Sequence, residues 1–365
     1  MAKKKSFYFL AIHFSLFTLF RIFALFYGMN EYKTIAAEPL STTQTPLVSV
    51  LMAVYNAEPY LAEALHSLLC QTLREIEVLA VDDASTDQSL SILRRTAAAD
   101  ARLRVFRHEQ NQGQAVARNL ALQHARGQYV CMVDADDWLA PDALQTVVDV
   151  FRSHPQTDCV VFRLMLHWQA DGREEEYRRQ GTAPLRPVPS CMTGEESFRL
   201  SLDWTLHGLY TVRREIHLRY PYDTSYRLYS DDNTTRIHYL HSREVRLSPA
   251  TYYYRKHQTS STMASSPKLF LYMWANLSMK RTLEQEGVSA DILSEYELCR
   301  WHNFRGQLWL YFDLRKQFDP STQRRLQSEF RHVYSTFRRL LPFPLLMLSE
   351  RLRWRLRRSI QRRPL

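Results

Sequence analysis

Three acidic groups in this chain stand where a cation or a proton could be handled: Asp82-Asp83, Asp134-Ala135-Asp136-Asp137 and Asp231-Asp232. Three carboxylates within four residues repel one another, and holding them together is costly unless a cation or hydrogen-bond donors neutralise them. A hard ion such as Mg2+ or Mn2+ takes oxygen ligands and usually shares its sphere with substrate phosphates. The Asp134-x-Asp136 spacing lets two carboxylates approach one such ion and a bridging diphosphate. A plainer use is also open: Asp136 or Asp137 can cap a helix near Pro141, Asp83 and Asp87 can serve a turn and a cap, and Asp231-Asp232 can open a helix. A calcium-binding helix-loop-helix is excluded, since neither the required glycine nor the terminal Glu is present. A dinucleotide-binding turn is excluded because Tyr55-Asn56-Ala57-Glu58-Pro59 contains no glycine.

What precedes each acidic group argues for more than capping. Leu47–Val54, Ile76–Val81, Leu103–Phe106 and Tyr129–Val133 read as short apolar strands. Between them, Pro59–Leu69, the segment around Leu90, Leu93 and Ala97, and Ala115–His124 have helical spacing. Such alternation predicts βαβ units and a mixed, mostly parallel sheet flanked by helices, an α/β fold whose functional loops sit at the carboxyl ends of strands. Asp82 and Asp134 both follow strand ends. Farther on, Ala143–Phe151 reads as a helix, Cys159–Leu164 as a strand, 168–194 as a loop-rich insert, 195–262 as mixed α/β and 267–340 as helical.

At this point the ordered motifs resemble family 2 glycosyltransferases of the GT-A (Rossmann-like) fold. The resemblance is carried by Val48–Asn56 with Tyr60-Leu61 and Ser67–Thr72, by Glu77–Asp87, by Asn111–Asn119 and by Gly127–Asp137, and it is strong over about 47–165. It implies an inverting glycosyltransferase of the hexosyl- or N-acetylhexosaminyl-transferase class. The donor is a nucleoside-diphosphate sugar, UDP first, and the acceptor is a hydroxyl of a glycan or lipid-linked glycan in surface polysaccharide, lipopolysaccharide or capsule synthesis. Ala53, Tyr55 and Asp82 match positions that hold the base, Asp83 the loop or ribose, and Asn111, Gly113 and Arg118 the loop beneath the nucleotide. Asp134 is implied at the ribose or metal, Asp136 as the direct ligand of Mn2+ or Mg2+. Asp231-Asp232 matches the acidic pair that supplies the general base, Asp232 ahead of Asp231, and Arg255 and His257 are implied at the diphosphate. The motif of processive synthases is missing, which argues for transfer of one sugar. Two other readings stay open: a non-catalytic membrane-associated protein that retains the fold, and a nucleotidyltransferase.

Charge divides the chain. The formal net charge is +10, yet residues 324–365 alone carry twelve Arg against Glu329 and Glu350, and residues 1–27 add Lys3, Lys4, Lys5 and Arg21. The segment between them is therefore mildly acidic, and basic ends on such a body point to an anionic partner surface. Ser6–Tyr27 is apolar and reads as a spanning anchor or an interfacial helix, with Arg21 a cost to spanning. Leu345, Leu348, Leu352, Leu356 and Ile360 form one stripe among arginines, the pattern of a helix lying on an anionic membrane; packing of that stripe on the enzyme body is the alternative. No nucleic-acid-binding module accompanies the arginines. Five cysteines without a Cys-x-x-Cys pair suit a reducing compartment. These features predict a membrane-associated protein with a cytoplasmic catalytic body. The expected divisions are 1–46 (apolar segment and linker), 47–262 (catalytic), 263–341 (helical extension) and 342–365 (basic amphipathic helix).

Overall fold

The computed structural model describes residues 45–177, 188–226, 228–257, 266–337 and 342–361, the last without the side chains of 356 and 358–361. The apolar segment 6–27 and the expected loop residues 258–262 lie outside the described residues, as does 178–187 of the expected insert.

Strand β1 (Val48–Val54) and helix α1 (Glu58–Leu69) lead to β2 (Ile76–Asp82), α2 (Ser89–Ala99), β3 (Leu103–Arg107), α3 (Gln114–Gln123) and β4 (Tyr129–Met132). β1, β2 and β3 pair in parallel, and β4 joins the other side of β1, again in parallel. The strand order 3-2-1-4 therefore reverses between β1 and β4, and a crevice opens beyond their carboxyl ends at such a point. These strands are continuous apolar runs because both faces are covered. Val50, Met52 and Val54 pack beneath α1, while Leu51, Leu79 and Val81 face Ala117 and Ala121 of α3.

The second half is of mixed direction. It comprises β5 (Trp138–Leu139), α4 (Ala143–Ser153), β6 (Thr157–Trp168), β7 (Arg173–Glu176), β8 (Cys191–Thr193), α5 (Gly194–Leu202), β9 (Tyr210–Arg213), α6 (Arg214–Arg219), α7 (Ser230–Leu240) and β10 (Glu244–Lys256). β9 lies antiparallel between β4 and β6, and the long β10 runs parallel to β6 while its far end pairs antiparallel with β5. The expected loop-rich insert is partly ordered: β7 extends β6 antiparallel, and β8 pairs with β10. Its residues Arg173–Glu176 are all exposed and charged, so no apolar alternation announces the strand.

Helices α8 (Leu271–Gln285), α9 (Ala290–Leu314), α10 (Pro320–Tyr334) and α11 (Phe343–Gln361) follow. Phe270, Phe304, Leu308, Leu326 and Phe330 form their shared core. Among the described residues no helix is long and apolar enough to cross a membrane.

Candidate functional site

The crevice between β1 and β4 is lined from several strand ends. Tyr55 follows β1 and is 52% exposed, the ring open to solvent, while Ala53 before it is half-buried. Asp82 ends β2 fully buried; its Oδ1 accepts the Ser85 N–H at 3.3 Å and its Oδ2 has no hydrogen-bond partner, with exposed Arg107 at 3.4 Å. Asn56 and Ala84, which make the turns after these strands, are both in the left-handed region at φ 51° and 61°. Strain of this kind concentrates at functional loops.

Asp83 points elsewhere. Its carboxylate accepts the N–H groups of Gln112 and Gly113 at 2.9 and 2.7 Å and meets His108 Nδ1 at 2.7 Å. The Asn111 amide donates to the Asp83 carbonyl at 3.2 Å. Asp83 thus builds the 108–113 loop, which ends at Gly113 with φ 95°. Asp87 caps two helices, accepting from Glu58 N at 3.0 Å and Ser89 N at 2.9 Å.

The acidic cluster divides into three environments. Asp134 Oδ1 accepts from Arg118 Nη2 at 2.5 Å and Gln114 Nε2 at 3.1 Å. Arg118 is fully buried, lies over the Tyr222 ring at 5.4 Å, and leaves Nε and Nη1 without partners. The Asp136 carboxylate stands 2.8 Å from His257 Nε2. Asp137 is buried: the Tyr252 hydroxyl donates to its Oδ2 and the Arg255 N–H to its Oδ1, each at 2.8 Å. Burial, then the charge of Asp134, raises the Asp136 carboxyl above its ordinary range, with His257 opposing. Burial and both neighbouring carboxylates push Asp137 well above. Oxygen atoms of Asp134, Asp136 and Asp137 lie within 4.8 Å of one another, a donor set of the kind that holds a hard divalent ion.

β10 pins this loop. Besides the bonds to Asp137, the Tyr252 hydroxyl accepts the Asp134 N–H at 3.2 Å and Arg255 Nε donates to the Asp136 carbonyl at 2.8 Å. The Arg255 guanidinium is buried, bonds Glu63 at 2.6 Å and lies over the rings of Trp138 and Tyr60 at 4.4 and 5.2 Å, so it braces the acidic loop. His257 remains on the cluster, its ring 4.8 Å from that of Tyr60. Tyr252, Glu63 and Tyr60 escaped sequence reasoning as members of this brace; the one signal was a tyrosine-rich strand ending in Arg255 and His257.

Asp231 and Asp232 occupy the first turn of α7 behind Tyr229, itself left-handed at φ 67°. Tyr229 rather than either Asp is the N-cap, and it makes no side-chain cap bond. Among the described residues no hydrogen bond or ion pair reaches either carboxylate. Asp231 borders a small cavity with Cys131, Tyr210, His217, Tyr222 and Thr235, and its charge is felt by Arg118 and by Tyr254 of β10. Asp231 therefore faces the region of the acidic cluster, while Asp232 lies toward Arg236, Tyr229 and Tyr272. Asp232 is pushed up to about 7 by burial and by Asp231, against the pull of Arg236. Arg236, one turn along α7, is fully buried under Trp204 at 5.0 Å, and all three guanidinium nitrogens lack a hydrogen-bond partner. Arg236 carried no signal in the sequence beyond its four-residue spacing from Asp232.

Residues 49–216 match the profile of glycosyl transferase family 2. Over 100 residues the chain is 43% identical to an uncharacterised glycosyltransferase of Haemophilus influenzae, covering 27% of this chain and 40% of that protein. Over 104 residues it is 43% identical to the putative teichuronic acid biosynthesis glycosyltransferase TuaG of Bacillus subtilis, covering 28% of this chain and 41% of the other. The match thus spans about two fifths of the length of these relatives. Residues 1–349 of TarS from S. aureus, solved in complex with UDP-GlcNAc, share the fold: TM-score 0.60, 24% identity, covering 78% of this chain and 81% of that one.

Proposed function

We propose that this chain, whose residues 49–216 match the profile of glycosyl transferase family 2, transfers a single sugar from a nucleoside-diphosphate donor, a UDP-sugar, to a hydroxyl of a glycan or lipid-linked glycan in surface polysaccharide biosynthesis. The observation that carries this reading is the acidic cluster at the carboxyl end of β4, beside the β1 and β2 ends that place Tyr55 and Asp82. Tyr55 stacks on the base and Asp82 accepts its imide N–H. The 108–113 loop, fixed by Asp83, closes beneath the nucleotide with Asn111 and Gly113, while Arg118 orients Asp134 toward the ribose. TarS was solved with UDP-GlcNAc and the name of TuaG refers to teichuronic acid, which suits this donor and acceptor class.

Asp136 and Asp134 would hold Mn2+ or Mg2+, with His257 beside them at the diphosphate; the mutual repulsion of the three carboxylates is the observation that fits a cation there. When bound, the ion supplies positive charge to the leaving diphosphate. Asp232, ionised, takes the proton of the acceptor hydroxyl as that oxygen attacks the anomeric carbon. The bond from that carbon to the diphosphate oxygen breaks, its electron pair leaves with the nucleoside diphosphate, and the anomeric configuration inverts. Asp231 keeps the local field negative and so raises the basicity of Asp232. The same reading has the catalytic body at the cytoplasmic face of a membrane, where five free thiols fit a reducing compartment.

UDP with Mn2+ should raise the melting temperature of the full chain by about 5 °C at a hundredfold excess over Kd. Asp136→Ala should lose the metal-dependent part of that shift. A sugar-nucleotide panel that yields neither stabilisation nor hydrolysis with metal present would sink the enzymatic reading and favour a non-catalytic protein of the same fold.

A further inference from the structure

The catalytic reading leaves one motif unused, the leucine–arginine pattern of α11. Two ways of seating this helix can be weighed: its leucine stripe against the body, or its leucine stripe outward. The structure seats a different face. Phe343, Leu346, Met347 and Trp354 pack into the core of the C-terminal helices. Between them Glu350 is fully buried, its carboxylate accepting from Arg305 Nε at 3.1 Å, Trp309 Nε1 at 3.0 Å and Arg353 Nη1 at 2.6 Å. Trp354 Nε1 donates to Asp313 at 3.2 Å.

Leu345, Leu348 and Leu352 of the stripe are 52, 56 and 50% exposed. At 100° per residue they lie about half a turn from Glu350 and Trp354. The side chains of Leu356 and Ile360, also in that stripe, lie outside the described residues. Rolling the helix to bury the leucines would pull a buried carboxylate off three donors, which is costly. The outward leucines are therefore a fixed feature of the folded chain. Exposed Arg353, which also bonds Glu350, flanks them on one side and Arg355 with half-buried Arg351 on the other, while Arg357 turns back over the Trp309 ring at 5.1 Å. From Pro342 on, the chain carries seven arginines against the single acid Glu350.

We propose that this outer face of α11 is a membrane-docking surface: Leu345, Leu348 and Leu352 enter the acyl boundary of a bilayer rich in anionic lipid, and the flanking arginines meet its phosphates. An apolar ridge edged on both sides by guanidinium groups fits a surface that is apolar within and anionic at its rim. A nucleic acid offers phosphates but nothing to cover three leucines. The helix lies in the interface and does not cross it, in keeping with the lack of a spanning helix among the described residues. This surface is independent of the catalytic reading, because no residue of the acidic sites takes part in it.

The test uses the full chain with a photoreactive diazirine amino acid in place of Leu348 and, separately, in place of Leu298, an equally exposed leucine (58%) on α9. Each protein is irradiated with phosphatidylglycerol vesicles, with phosphatidylcholine vesicles and with RNA. Lipid capture at 348 and not at 298, with phosphatidylglycerol and not phosphatidylcholine, is the expected result. L345S/L348S/L352S should weaken partition to phosphatidylglycerol vesicles about tenfold or more. Vesicle-bound protein that shows no lipid capture at 348 overturns the proposal, which also separates this face from any binding by residues 6–27. Equal capture from the neutral lipid, capture of RNA, or cross-linking to a second copy of the chain overturns it as well.

Discussion

The two acidic sites of this molecule are built differently. Asp134, Asp136 and Asp137 sit on a loop fixed by Arg118, Gln114, Tyr252, Arg255 and His257, so that most of their oxygens have named donors. Asp231 and Asp232 begin a helix, and burial with the charge of Asp231 raises the Asp232 carboxyl. Behind them lie Arg236, with three partnerless nitrogens, and His217, whose two ring nitrogens are also without partners and whose burial holds it well below its ordinary pKa. A geometry that must receive one ion and one diphosphate gains from rigid placement. A base must instead be poised near neutrality, and desolvation accomplishes that where saturating hydrogen bonds would pull the carboxyl down.

Breaking each side should therefore give a different signature. The largest effect is expected at the α7 side: Asp232→Asn should lower kcat by about 10²–10⁴-fold while leaving the Kd for UDP nearly unchanged. A parallel loss of UDP affinity would put Asp232 with the donor site and erase the contrast. On the β4 side, Tyr252→Phe removes the hydroxyl that joins Asp134 N and Asp137. It should weaken metal affinity about 10–100-fold, read by titrating Mn2+ against nucleotide-dependent stabilisation, and cost about 1–3 kcal/mol in unfolding free energy. The smallest change sharpens the contrast: Arg236→Met. With Asp232 at about 7, the rate should fall as pH drops through that value, because the base must be ionised. Arg236 favours the ionised form, so the variant's acid limb should move to higher pH, with a rate loss of about tenfold or less at pH 7 and little change on the alkaline plateau. Of the other groups near Asp232, Asp231 and Tyr229 keep their neighbours in that variant, while Tyr272 loses the Arg236 charge beside it. A limb that stays in place would show that Arg236 only fills space.

The same division explains what the sequence disclosed. β1 to β4 and their helices were legible because each is a local pattern: an apolar run or a helical stripe, with an acid at the next strand end. The reversal of strand order at β1 and β4 is seen only in the sheet itself. Pairings across long separations were not legible. β9 enters between β4 and β6, and β10 reaches back to β5, joining residues more than a hundred positions apart. The roles that hang on those pairings were lost with them. Spacing offered Asp137 only as a helix cap, whereas it is anchored to Tyr252 and Arg255, and nothing in the sequence joined Arg255 to Glu63. In α11 the spacing revealed the leucine stripe, yet only the buried Glu350 shows which face is turned outward.

The lock between β10 and the acidic loop also bears on synthesis of the chain. Every aspartate of the two sites has been added to the chain by residue 232, but three groups that order Asp134–Asp137 are added only at Tyr252, Arg255 and His257. A nascent or prematurely terminated chain ending between those points holds all the acids and none of the clasp. Its like-charged loop has nothing from β10 to hold it together, so on the proposed reading the site for a donor is completed only when the last strand docks.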